Sequence, residues 1–209
     1  MLDGTNAYEP PESTAGMADV SEQDIRAFIK SQIPRLVRNG ARPFLVEEME
    51  VCSGRARIDL AIIADGLIGI EIKGPKDDVS RLPGQAKAYS ECFDHVVLVT
   101  HETLAAKAVN LVPEWWGIVI GTQRGCRLRY RFLRRPQSNP NLNLEKLLAL
   151  LWRDEIDALQ SELVGSTPSR RATKKTIRAE LLSRVDPPVL RQASLQKLRD
   201  RTAWRWVPV

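Results

Sequence analysis

The stretch Arg57-Ile58-Asp59-Leu60-Ala61-Ile62-Ile63-Ala64-Asp65-Gly66-Leu67-Ile68-Gly69-Ile70-Glu71-Ile72-Lys73 decides the fold. Two apolar runs, rich in Ile and Leu, flank the dipeptide Asp65-Gly66. That dipeptide is a strong hairpin signal, so strands are predicted from Arg57 to Ala64 and from Leu67 to Lys73. Counting outward from the turn puts Asp59 and Glu71 near the same cross-strand level. Glu71 and Lys73 are two apart, and alternate residues of a strand share a face.

On either side the pattern continues. Phe44 to Val51 alternates and ends at a Cys52-Ser53-Gly54 turn, while Gly74-Pro75 stops the second strand of the hairpin. A helix is predicted from Val79 to Phe93 with Pro83 near its start, then a fully apolar strand from Val96 to Thr100. A helical segment near Leu104 to Val109 follows. Strands from Gly117 to Gly121 and from Cys126 to Phe132 flank a turn over Thr122 to Gly125. Strand, helix, strand in this order implies an α/β fold with at least one crossover.

The flanks are less regular. Residues 1–19 lack apolar patterning and read as a flexible tail. Ser21 resembles an N-cap for a helix carrying Ile25, Phe28, Ile29, Ile33, Leu36 and Val37, with Pro34 inside it and Asn39-Gly40 at its end. Pro136 to Pro140 reads as a linker. Beyond it, Leu144, Leu147, Leu148, Leu151, Trp152, Leu159 and Leu163 outline one amphipathic helix, broken over Gly165 to Ser169. Two shorter helices follow, about Arg171 to Arg184 and Val189 to Arg201. The division expected is a tail over 1–19, an α/β core over 20–136 and a helical extension over 141–209.

With 43% hydrophobic and 27% charged residues in 209, the composition is that of an ordinary globular chain. The three cysteines lack metal-ligand spacing, no run is long enough for a membrane span, and no secretory leader opens the chain, so a cytoplasmic protein is expected. The net charge of +5 is uneven. Residues 1–123 hold 12 Lys and Arg against 18 Asp and Glu, net −6; residues 124–209 hold 19 against 8, net +11. An acidic front suits a cation and a basic rear suits a polyanion, although basic residues also line solvated helix faces.

Two carboxylates and an ammonium on buried strands are costly without compensation. A divalent cation supplies it, and Mg²⁺ (or Mn²⁺) is the expected cofactor, held by Asp59, Glu71 and the Ile72 carbonyl. Such an ion would activate water against a phosphodiester, with Lys73 orienting that water or stabilising the phosphorus centre. The competing reading is structural: Glu71 and Lys73 straddle an edge while Asp59 pairs with Arg57 or Arg55.

Asp59 followed by Glu71-Ile72-Lys73 resembles the D…E-x-K signature of the PD-(D/E)XK nuclease superfamily. Glu48, Gly54, Arg57, Gly74, Asp78, Arg81-Leu82, Gln85 and Tyr89 extend the likeness. So do Trp115-Trp116-Gly117-Ile118 and Leu150-Leu151-Trp152-Arg153. Together they resemble a group of small bacterial and prophage proteins related to MmcB-type DNA-repair endonucleases, over Ile25 to Ile156. The resemblance implies a restriction-endonuclease or Holliday-junction-resolvase-like core: a mixed central sheet flanked by helices, with the C-terminal helices appended. It implies Asp59 and Glu71 as metal ligands, Glu48 completing the metal shell, Lys73 as the catalytic lysine and Gln85 contacting phosphate or water. Cores of this kind often act as dimers. Ile58 stands where the family's proline would be.

Among the remaining residues, Arg57, Arg81 and Lys87 are candidate contacts to the DNA backbone. Arg127, Arg129 and Arg131 share one face of a strand, as a phosphate-gripping strip or as protection for an edge. Asp78 is read as a cap for the following helix. His95 and His101 lack metal-ligating neighbours, and no P-loop, G-x-S-x-G or dinucleotide fingerprint occurs. The sequence therefore predicts a metal-dependent DNA nuclease of repair, recombination or phage biology. Two alternatives stand beside it: a catalytically silent nucleic-acid-binding protein on the same fold, and an interaction module that uses the basic tail.

Overall fold

A computed structural model describes residues 7–8, 26–31, 43–52, 54–124 and 127–201. Its centre is a mixed sheet of β1 (Ala7–Tyr8), β2 (Phe44–Val51), β3 (Ala56–Ile63), β4 (Leu67–Lys73), β5 (His95–His101), β6 (Gly117–Arg124) and β7 (Arg127–Arg134). The spatial order is β1-β7-β6-β5-β4-β3-β2. Strands β2 to β4 form an antiparallel meander, β4, β5 and β6 run parallel, and β7 returns antiparallel. Parallel neighbours need crossovers, which α2 (Leu82–Ser90) and α3 (Glu102–Ala108) supply.

The hairpin follows from its sequence. Ile63 faces Leu67 and Leu60 faces Ile70, and the Ala64 N–H donates to the Gly66 carbonyl at 2.9 Å. Gly69 is needed for a close approach: a methyl group there would lie 3.1 Å from the Phe93 ring and collide with Ile58.

Apolar residues cover both faces of the sheet. Residues 26–31 form a helical segment, α1, which sets Phe28 and Ile29 on one face against Leu60, Ile62, Ile70 and Val99, with Phe28 stacked on Tyr130 at 3.7 Å. The other face packs α2 and α3 together with α4 (Leu144–Ala149), α5 (Arg153–Val164), α6 (Lys174–Arg184) and α7 (Pro187–Asp200). The C-terminal helices thus share one apolar core with the sheet. Arg191 of α7 ties them to the hairpin through Asp94 and, at 3.2 Å, the Asp65 carbonyl.

Several sequence-based boundaries shift, for local reasons. Ala7 and Tyr8, expected in a flexible tail, pair with β7. The α2 helix is shorter than expected because Pro83 sits in its first turn, where a missing N–H does no harm. Asp78 does not cap it: its carboxylate binds Ser80, and the cap position is Arg81. The single long helix expected from Leu144 divides into α4 and α5, because the Glu155 carboxylate takes the Trp152 N–H at 2.6 Å and starts a new helix. The Pro136–Pro140 linker is fastened to the core, with Asn139 donating to Ser90 and Phe93 carbonyls at 2.8 Å. The expected Ser21 cap, Pro34 kink and Asn39-Gly40 stop lie outside the described residues. No helix among the described residues is long and apolar enough to cross a membrane.

Candidate functional site

The two strands of the hairpin part at Asp59. Regular β3–β4 pairing ends at Leu60 opposite Ile70, and there the Asp59 Oδ2 accepts the Ile72 N–H at 2.6 Å. A side chain has taken over a donor that the next ladder step would have used. Opposite, on β2, Glu48 adopts a positive φ of 55°. Val46 and Met49, which a regular strand would turn to opposite faces, both enter the core beneath α2. The irregularity re-aims the side chains at the strand ends, as bulges do next to functional sites. A cleft of about 810 Å³ opens there, between the ends of β2–β4 and α2.

Glu71 and Lys73 lie at its floor, 1% and 5% exposed, with Lys73 Nζ 2.7 Å from Glu71 Oε1. From α2, Gln85 Nε2 donates to the same oxygen at 2.6 Å and the Tyr89 hydroxyl lies 2.9 Å from Oε2. That hydroxyl is also 2.7 Å from the Arg57 carbonyl. Burial, reinforced by the Glu71 charge, pushes the Tyr89 hydroxyl far above its usual pKa, so it stays protonated. Burial, with Glu71 again adding to it, raises the Asp59 carboxyl to about 7, against the pull of the Ile72 N–H and Lys73.

A raised carboxyl pKa means that the folded protein holds that proton more tightly than the unfolded chain. The stabilisation it brings is complete below about pH 4 and is lost as pH rises through about 7. Asp59→Asn removes this dependence. Its stability relative to wild type should rise by on the order of 2–3 kcal/mol between pH 5 and pH 8. Urea titrations of both proteins across that range check this, and parallel pH profiles would count against a raised pKa.

The structure gathers some of the predicted residues and separates others. Glu48, Arg57, Asp59, Glu71, Lys73, Arg81, Gln85 and Lys87 all line the cleft. Glu48, however, is spent on Arg26 at 2.9 Å and Arg57 at 2.8 Å. The predicted metal shell of Glu48, Asp59, Glu71 and the Ile72 carbonyl is therefore not assembled. Both Glu71 oxygens are already hydrogen-bonded, and no group of three or more His, Cys, Asp or Glu among the described residues could hold a metal ion. Of the side chains expected to hold Mg²⁺, Asp59 and Glu71 face the cleft, while Glu48 is engaged by two arginines.

Arg129 and Arg131 are exposed on β7, as the alternation predicts with Tyr130 buried between them. Arg127 shares their strand, but β6 and β5 separate all three from β4 and the cleft. The sequence reading missed the Arg55 and Glu91 walls and the pairing of Tyr89 with the Arg57 carbonyl. Only the Gln85/Tyr89 spacing of four, which stacks both on one helix face, signalled the last of these.

Fold and cleft together define an α/β protein whose mixed sheet carries a carboxylate–lysine–tyrosine network behind an open cleft. No solved structure is significantly similar to the chain. The chain belongs to the bacteriophage P4 protein cII family, whose model matches residues 17–205. It is 26% identical over 118 residues to protein cII of Enterobacteria phage P4, an alignment covering 56% of this chain and 45% of that protein. The match thus spans less than half of that relative's length.

Family membership overturns the nuclease expectation. The chain is assigned to the phage cII family and not to the PD-(D/E)XK superfamily, so the expected metal-dependent hydrolase, and the DNA-repair setting drawn from it, fall. The physical reason the motif misled is visible at the cleft floor. A buried Glu-x-Lys pair on one strand face satisfies itself, with Gln85 and Tyr89 supplying the remaining bonds.

Proposed function

We propose that this chain binds DNA, taking backbone phosphates on the basic rim of the cleft. The observation that carries the reading is the state of the rim. Arg81 and Lys87, on the α2 side, are exposed and have no ion-pair partner among the described residues. Arg55 and Arg57 stand across the cleft on the β2–β3 side. A lysine or arginine without a carboxylate is available to release counterions from a phosphate backbone. The sequence pI of about 9.3 supports the same reading. The free thiols of Cys52 and Cys92 suit the cytoplasm.

Fluorescence anisotropy with labelled oligonucleotides tests it. Wild type should bind with an affinity that falls steeply with salt. The double variant Arg81→Ala/Lys87→Ala should bind about tenfold more weakly and lower the log–log salt slope by about 1–2. Absence of binding, or an unchanged slope in the variant, overturns the proposal.

A further inference from the structure

The cleft lining holds five acidic residues (Glu48, Glu50, Asp59, Glu71, Glu91) and five basic ones (Arg55, Arg57, Lys73, Arg81, Lys87). Summed, they cancel, so the lining as a whole is no simple polyanion groove. What distinguishes it is segregation by depth. The floor holds Asp59 and the Glu71–Lys73 ion pair, a net negative charge once Asp59 is ionised, while Arg55, Arg57, Arg81 and Lys87 are exposed at the rim together with Glu50. Phosphates lowered onto the floor would meet two carboxylates against one ammonium that Glu71 already engages, so ionised Asp59 would repel them.

The floor is also unbalanced in hydrogen bonding. Its donors Lys73, Gln85 Nε2 and the Tyr89 hydroxyl all lie against Glu71, the tyrosine against the Arg57 carbonyl as well. Acceptors remain beyond the Glu71 oxygens: Asp59, whose Oδ2 takes the Ile72 N–H, and Gln85 Oε1, which is buried with no hydrogen-bond partner among the described residues. A ligand matched to this cleft brings N–H donors at its tip and negative charge at its shoulder. A volume near 810 Å³ lies in the range of pockets for small ligands and is far too small for a duplex.

We infer that the cleft takes a single unstacked nucleotide of a DNA strand, with the amino edge of its base on Asp59 and its phosphates on Arg81 and Lys87. Carboxylates accept from the cytosine N4 amino group, and adenine N6 offers a similar donor; thymine offers no amino group. Guanidinium planes such as those of Arg55 and Arg57 can stack on an exposed base. The inference rests on the DNA-binding reading and adds to it both a strand state, single, and a base preference.

The test measures binding of single-stranded dC, dA and dT tracts and of a duplex to the full chain, at pH 8 and in EDTA. At that pH Asp59 is ionised, and without divalent ions no cation bridges floor and phosphate. We expect dC and dA tracts to bind about tenfold more tightly than dT and the duplex more weakly than any of them. A dC tract whose bases lack the amino group should fall to the dT level, a control that leaves the protein intact. Asp59→Ala, checked for folding by its thermal melt, should equalise the tracts, whereas Arg81→Ala/Lys87→Ala should weaken all of them by the same factor. Equal affinity of wild type for dC and dT, or a preference that survives amino deletion, overturns the base pocket while DNA binding stands. Failure of every oligonucleotide to bind removes the DNA-binding reading itself.

Discussion

Lys73→Ala lowers the unfolding free energy by about 3–5 kcal/mol, because it leaves Glu71 charged and buried without its cation. The carboxylate, 1% exposed, would retain only Gln85 Nε2 and the Tyr89 hydroxyl as partners. Neither carries charge, and a buried ion needs charge compensation as well as hydrogen bonds. For a chain of this length the melting temperature should drop by about 6–20 °C. Adding Glu71→Gln to Lys73→Met removes both charges and should recover most of the loss, since replacing a buried pair together is far less costly than breaking it. Denaturant titration of the single and double variants decides the matter. A loss under about 1 kcal/mol for Lys73→Ala would mean that the pair is effectively solvated.

Trp116→Ala has a similar expected cost, about 3–5 kcal/mol, through an unfilled cavity and not through charge. The indole is fully buried, stacked 6.0 Å from the Tyr89 ring and edge-on to Trp115 at 6.2 Å. Trp116 therefore also holds the tyrosine whose hydroxyl reaches Glu71, so the substitution should loosen the cleft floor as well as the core. Trp116→Phe separates the two contributions. The Nε1 donor is buried with no hydrogen-bond partner among the described residues, so losing it costs nothing in bonding. Thermal melts should place Trp116→Phe within about 1.5 kcal/mol of wild type. Equal losses for Phe and Ala would show that the stacking geometry matters and the filled volume does not.

The hairpin was legible because Asp65-Gly66 and two apolar runs leave little choice of register. Placing Asp59 and Glu71 at one level needed only counting from that turn, and the observed pairing of Leu60 with Ile70 agrees. The α/β class and its crossover followed from short apolar strands separated by helices, whereas the mixed sheet was what the family resemblance implied. The reversal of facing at Glu48 was not legible, since a glutamate in the left-handed region carries no local sequence signal. The division of α4 from α5 was hidden by leucines that continue the helical period through it. There a backbone N–H bound by Glu155 outweighs the apolar pattern. The cleft gathers Glu48, Arg57, Asp59, Glu71, Lys73, Arg81, Gln85 and Lys87 but not the β7 arginines, and the hydrolytic chemistry expected of these residues does not stand. A three-residue signature fixes which side chains meet, while the bonds each carboxylate already makes depend on an α2 helix that the signature does not contain.

The carboxylate that replaces a ladder partner where regular β3–β4 pairing stops makes one amide proton a spectroscopic gauge. The Ile72 N–H donates to Asp59 and not to a backbone carbonyl, so its electronic environment follows the ionisation of that acid. In a proton–nitrogen correlation spectrum its resonance should migrate with a midpoint near neutrality. The Ile70 amide, in the regular hairpin two residues earlier, should stay nearly still. The molecule thus reports the protonation state of its own cleft from a single peak.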